Sequence, residues 1–194
     1  MNRYKKTFSG RGASQDHTEF SSFIRFLQEK KVTRYLEIGA RHGDSFHEIM
    51  LHLPVGSFGL AVDLPGGLWG KSTTHSNLKK AVEDLKKRGY DVDYVLGNSQ
   101  DEDVISKIKS YGKFDACLID GDHTLDGVTK DWNNYKDSAP IIAFHDIVGH
   151  NQAEKVHGNK VEVPLLWKKI KQEYKETIEF VGPYSAMGIG VCLL

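Results

Sequence analysis

The stretch FDACLIDGDHT, residues 114–124, is an apolar run that ends in Asp120, Asp122 and His123. A second run, PIIAFHD, ends in His145 and Asp146. The tip of a strand in an open α/β sheet opens into the crevice where ligands bind, so charges there are better explained by a ligand than by stability. Carboxylates and imidazoles in this mixture can take up a proton, align a nucleophile or hold a hard divalent ion. His123 is the candidate general base, because an unperturbed imidazole accepts a proton near neutral pH. Structural alternatives stand beside these roles. His123 would cap a helix and orient Asp120, His145 and Asp146 would bond each other and the following loop, and Asp122 would be a solvated turn residue.

A second constellation lies in LEIGARHGDS, residues 36–45. Its form is E-x-G-x-x-x-G, running from a β-rich segment into a helical one. Gly39 and Gly43 allow the backbone to approach a ligand closely. A dinucleotide fingerprint would need glycine where Arg41 stands, and a phosphate loop would need Gly-Lys where Asp44 and Ser45 stand. Glu37 repels phosphate but suits a cation or hydroxyls. Asp63 ends the next strand, where a carboxylate can hold both hydroxyls of a ribose. The cofactor expected is a nucleoside with a ribose, a positive charge and no phosphate, which describes S-adenosylmethionine.

These residues need a scaffold, and apolar runs alternate with helix-period segments from about residue 20 onward. Strands are expected at VTRYLEIGA, FGLAVDLPGG, YDVDYVLGNS, KFDACLID, PIIAFHD, TIEFVG and MGIGVCLL. The helical segments between them are SSFIRFLQEKK, DSFHEIMLHL, SNLKKAVEDLKKRG, DEDVISKIKSYG, TLDGVTKDWNNY and VPLLWKKIKQEYK. Ser76 or Asn77 is the expected cap of the third helix, and Gly127 is expected to weaken the fifth by up to about 1 kcal/mol. The class is α/β, with residues 1–19 as a mobile basic tail and 20–194 as one domain.

Lysine plus arginine and aspartate plus glutamate number 26 each, so no net field favours nucleic acid or an acidic membrane. The two cysteines, Cys117 and Cys192, sit in apolar runs without metal spacing, as buried thiols of a reducing compartment would. No segment has the length or apolarity of a membrane span or the apolar centre of a signal peptide, and a cytoplasmic location is expected. His47 and His52 are spaced five apart, too far round a helix to share a zinc ion. They are expected to be solvated or half-buried, and His150 and His157 exposed in a loop. Trp69 is placed to pack on the adenine or the acceptor, or else on the core.

Taken together, the E-x-G-x-x-x-G turn, Asp63, GNSQD, IDGDHTLDGV, FHDIVG and the terminal GIGV strand resemble a class I S-adenosylmethionine-dependent methyltransferase. They are most similar to its small branch carrying the IDGDH…HDI pattern, the methyltransferase domain 24-like proteins. The resemblance implies a Rossmann-like seven-stranded sheet in the order 3-2-1-4-5-7-6 with helices on both faces. It also implies that Glu37, Gly39, Ala40 and Gly43 line the methionine part, Asp63 the ribose, and Ser99 with Gln100 the adenine edge. Asp120 and His123 would flank the methyl group, making Asp120 both a cofactor contact and a catalytic residue. Strand tips four and five would bring Asp120, His145 and Asp146 together as ligands for Mg2+ or Mn2+. The expected activity is O-methylation of a small-molecule or sugar hydroxyl, with no nucleic-acid or membrane partner and with homo-oligomerisation left open. Two rivals share the fold: a non-catalytic cofactor-binding scaffold and a nicotinamide-dependent oxidoreductase.

Overall fold

The structure is a computed structural model, and it describes residues 16–66, 74–148, 161–182 and 187–194. The elements run α1 His17–Glu29, β1 Arg34–Ile38, α2 Asp44–His52, β2 Phe58–Asp63, α3 Thr74–Lys87, β3 Asp91–Leu96 and α4 Glu102–Ser110. They continue with β4 Ala116–Ile119, α5 Leu125–Tyr135, a 3-10 turn Lys136–Ser138, β5 Ile141–His145, α6 Val163–Glu173, β6 Thr177–Phe180 and β7 Ile189–Leu193. The sheet order is β3-β2-β1-β4-β5-β7-β6, as expected. Strands β1 to β5 are parallel, and β7 runs antiparallel to both of its neighbours.

Alternation along each strand divides the core into two layers. On one face Tyr35, Ala61 and Leu118 pack with Phe20 and Phe23 of α1, Phe46 and Ile49 of α2, and Leu78 and Val82 of α3. On the other, Leu36, Ile38 and Ile119 pack with Ile108 of α4, Val128 and Trp132 of α5, and Leu166 and Trp167 of α6. Large apolar side chains sealed in this way contribute about 1.5–3 kcal/mol each. Cys117 and Cys192 are buried free thiols. No helix among the described residues is long and apolar enough to cross a membrane.

Three local details differ from the sequence reading. Helix α1 starts at His17, ahead of residue 20, because Asp16 and Glu19 form a capping box. The Asp16 carboxylate accepts the Thr18 N–H at 2.9 Å, and Glu19 Oε1 accepts the Asp16 N–H at 3.3 Å. Helix α3 starts at Thr74, so Ser76 and Asn77 lie inside it, and Asn77 Nδ2 instead sits 3.3 Å from His42 Nδ1. His47 is buried, with Nε2 2.8 Å from Asp84 of α3, and so ties two helices together. The expected tail up to residue 15, Trp69, His150 and His157 lie outside the described residues.

Gly127, a poor helix former, has a packing reason. A Cβ built there would lie 2.0 Å from Asp122 Cγ. That carboxylate accepts from the Thr124 N–H at 2.9 Å and the Thr124 hydroxyl at 2.8 Å, closing the turn that starts α5. Gly127→Ala is therefore expected to lower stability by about 1 kcal/mol, where helix propensity alone would raise it by a similar amount. Denaturant midpoints of the two proteins decide the sign.

Candidate active site

The first turn is built from the backbone outward. The Gly39 and Ala40 N–H groups both donate to the Val62 carbonyl, at 2.8 and 3.0 Å, folding the chain over the tip of β2. Arg41 then adopts a left-handed φ of 48°, which aims its N–H at Asp63 Oδ1 at 2.8 Å. Gly43, at φ 81°, leads into α2. The two glycines are required by packing within the protein. A Cβ on Gly39 would lie 2.2 Å from the Asp120 carbonyl oxygen, and one on Gly43 would lie 2.9 Å from Ala81 Cβ.

Glu37 lies fully buried beneath this turn. The Ser45 hydroxyl donates to its Oε1 at 2.5 Å and the Tyr35 hydroxyl to its Oε2 at 2.7 Å. Burial pushes its carboxyl up to about 7, against the lowering effect of these two hydroxyls. Asp63 is half-buried at the rim. Burial raises it to about 6, opposed by the N–H and the charge of Arg41. Ser99 and Gln100 occupy the loop after β3, where the Ser99 hydroxyl donates to Asp131 Oδ1 at 2.7 Å.

Beside the turn, β4 and β5 end in a cluster of alternating acids and imidazoles. His123 Nε2 lies 3.2 Å from Asp120 Oδ1, and its Nδ1 lies 2.9 Å from Asp146 Oδ2. His145 Nδ1 lies 3.2 Å from the same Asp120 oxygen and 3.5 Å from Asp146 Oδ1. On its far side, His145 Nε2 sits 3.9 Å from Glu19 Oε1, a carboxylate that also accepts the Gly188 N–H at 3.0 Å. Asp146 is a non-glycine residue at φ 61°, a conformation that the surrounding contacts must hold in place.

The charges settle each other. Burial raises the Asp120 carboxyl, but the His145 and His123 imidazoles outweigh it and hold Asp120 well below the usual carboxylate range. Burial lowers both histidines, yet Asp120 and Asp146 overcome it, raising His123 to about 10 and His145 to about 9. The carboxylates favour the imidazolium form of both rings, and each ring spans carboxylates. Such a ring pairs with two carboxylates, which raise its affinity for a proton, and it acts as a base from its neutral form.

The expected metal ligands Asp120, His145 and Asp146 do come together, and His123 joins them. The ligand atoms of Asp120, His123 and Asp146 all lie within 4.8 Å of one another. Two carboxylates and one imidazole form a donor set compatible with Mn2+, or with Mg2+ through the carboxylates. The fit requires His123 to release one ring proton to the solvent. A separate cleft of about 680 Å3 lies on the β3 edge, lined by residues such as Lys79, Lys86, Asp93 and Lys107, and none of the site residues faces it.

Solved structures share the fold of this chain. The O-methyltransferase TomG of Streptomyces achromogenes, in complex with SAM, superposes with a TM-score of 0.69 at 13% identity, over 93% of this chain and 81% of that one. An O-methyltransferase from Bacillus cereus in complex with SAH gives 0.67 at 18% identity, over 93% and 83%. An SAH-bound Podospora anserina methyltransferase gives 0.66 at 13% identity, over 93% and 80%. The chain has the Rossmann-like fold of these methyltransferases. No family model matches the sequence, and no curated protein matches it at a significant level.

Three residues central to this site were not singled out in the sequence. Glu19 is the fourth residue of a D-x-x-E capping box, a signal readable at 16–19. Asp131 falls within the apolar face Val128, Trp132 and Tyr135, where a carboxylate at i+3 marks a buried polar group. Ser45, which clamps Glu37, follows the turn directly and has no motif of its own.

The sign of the pH dependence follows from the two histidines. Their folded values lie above the ordinary 6.5, so the stability they contribute is complete below about pH 6.5 and is lost as pH rises through about 9 to 10. Glu37 and Asp63, raised to about 7 and about 6, also make the native state the better proton binder, over a lower window. Unfolding midpoints in chelator are expected to fall steadily from about pH 7 to about pH 9. The His123→Gln, His145→Gln double variant should show a flatter profile, and a wild-type midpoint rising over that range would contradict the assignment.

Proposed function

We propose that the protein is a cytosolic S-adenosylmethionine-dependent methyltransferase acting on a hydroxyl of a small molecule. The observation that carries this reading is the Arg41 N–H fixed on Asp63 at 2.8 Å, next to the ionisable cluster at the β4 and β5 tips. It leaves a carboxylate at the rim for a ribose and commits a backbone donor that a diphosphate would need. The solved O-methyltransferases of the same fold, bound to SAM or SAH, support the same cofactor. The IDGDH…FHD pattern supports the domain 24-like branch.

In this reading Asp63 holds the ribose hydroxyls, Gly39, Ala40 and Gly43 border the methionine part over the buried Glu37, and Ser99 with Gln100 meets the adenine. Methyl transfer is an in-line displacement at a sulfonium, so the protein contributes mainly alignment and a place for the acceptor's proton. His123, in its neutral form, takes the acceptor's proton as the oxygen attacks, and Asp120 and Asp146 stabilise the imidazolium so formed. His145 holds Asp120 from the other side. A divalent ion, if bound, would be held by Asp120, Asp146 and a deprotonated His123, and would supply a Lewis acid that acidifies the hydroxyl.

Isothermal titration with S-adenosylhomocysteine tests the cofactor. Wild type should bind, and Asp63→Ala should bind at least about tenfold more weakly. No binding at millimolar ligand would end this reading. Turnover is then sought on a panel of hydroxyl acceptors, with and without Mn2+. Cofactor binding with no turnover on any acceptor would favour the scaffold alternative.

A further inference from the structure

Helix α5 grips the loop after β3 with three residues spaced four apart, a single stripe on its surface. The Gly127 carbonyl accepts from Gln100 Nε2 at 3.4 Å, and Asp131 Oδ1 accepts from the Ser99 hydroxyl at 2.7 Å. The Tyr135 hydroxyl donates to the Ser99 carbonyl at 2.5 Å. Ser99 is thus fixed at its backbone and at its side chain by one helix.

Asp131 is the unusual member of this stripe. It is completely buried, on a helix face otherwise made of Val128, Trp132 and Tyr135, with the Asp122 backbone N–H beside its carboxylate. A Cβ built on Gly121 would lie 3.4 Å from Asp131 Oδ2 and 4.0 Å from the Gly39 Cα, which places the carboxylate under the floor between the β1 and β4 tips. A carboxylate buried with no cation beside it costs free energy to desolvate even when hydrogen-bonded, and an apolar side chain would fill the same space without that cost. Packing therefore gives no reason for it, whereas the proton it controls does.

An ionised carboxylate only accepts hydrogen bonds. Burial raises Asp131 to about 6, which still leaves it ionised at neutral pH. The single proton of the Ser99 hydroxyl is therefore committed inward, and Ser99 Oγ presents only lone pairs to whatever lies outside. We propose that Asp131 is a positioning residue that makes the site selective for a 6-aminopurine nucleoside over its 6-oxo counterpart. This rests on the reading above that Ser99 meets the adenine edge. An exocyclic amine donates to the oriented oxygen, whereas a carbonyl in its place faces it acceptor to acceptor. A site built to receive a hydrogen bond rejects an analogue that cannot give one.

The test is isothermal titration of S-adenosylhomocysteine and S-inosylhomocysteine against wild type, Asp131→Asn, Asp131→Leu and Ser99→Ala. Wild type should prefer the adenosyl ligand by about 10- to 100-fold, the effect of one mismatched buried hydrogen bond. In Asp131→Asn the amide can donate to Ser99 and free its hydroxyl to turn outward, and in Asp131→Leu nothing holds it. Both variants should bring the preference within about threefold, as should Ser99→Ala, which carries the reading if the Asp131 variants do not fold. A merely structural role would weaken both ligands equally and leave the ratio intact, and that result overturns the inference. So does wild type binding the two ligands alike. Binding of neither ligand is a different failure, because it removes the cofactor reading on which the inference stands.

Discussion

Among the described residues, the tightest approach of backbone to backbone at a glycine is between Gly39 and the Asp120 carbonyl. A single methyl group at position 39 would lie 2.2 Å from that oxygen, and the neighbouring atoms it would meet are also backbone. Neither side can yield by turning a side chain. The turn after β1 and the tip of β4 are therefore set against each other, and the rest of the rim follows from them. On one side the Gly39 and Ala40 N–H groups fasten to Val62, which delivers Asp63 one residue later. On the other, Asp120 meets His123 and His145, so the cofactor turn and the ionisable cluster share one rigid seam.

The cluster itself is an exercise in compensation. Removing one carboxylate or one imidazolium from water is expensive, and pairing repays that cost only when every charge has an opposite neighbour in good geometry. Here the order Glu19, His145, Asp120, His123, Asp146 alternates sign along its whole length. Its last member takes a left-handed backbone conformation that non-glycine residues avoid. Such an assembly adds little to stability. What it gains is a single defined arrangement of two carboxylates at the mouth of the site, with the first turn of α1 anchored to β7 through the Glu19–Gly188 bond.

Much of this was legible in the sequence, because strand periodicity and the residues at strand tips are both local signals. The sheet order came with the resemblance, and Asp120, His145 and Asp146 lie close because neighbouring parallel strands end at the same edge, while the group with metal-ligand spacing takes His123 in place of His145. What was not legible depends on contacts between distant segments. Gly127 reads as a weak helix residue until Asp122 is seen in the space of its missing side chain. His123 reads as a lone imidazole until two carboxylates are seen beside it. Ser76 and Asn77 read as caps because the residues before them carry no stronger signal. Glu19 and Asp131 are buried acids on apolar helix faces, and their value comes from partners 126 and 32 positions away along the chain, His145 and Ser99.

Arg41 bears on which class of cofactor the proposed site would take. A dinucleotide site places glycine at this position so that the backbone can open towards a diphosphate, with its N–H groups aimed at the anion. Here a side chain occupies the same left-handed region, at φ 48°, at a cost of about 1–2 kcal/mol that glycine would avoid. The N–H so displayed is already bonded to Asp63. A diphosphate entering the turn would have to break that bond and then face the half-buried carboxylate it released, with Glu37 buried beneath. A sulfonium would not face that repulsion, and Asp63 stays held where a ribose could use its second oxygen. The strain at Arg41 is thus spent on replacing a phosphate acceptor with a fixed carboxylate, which is the electrostatic difference between the two kinds of site.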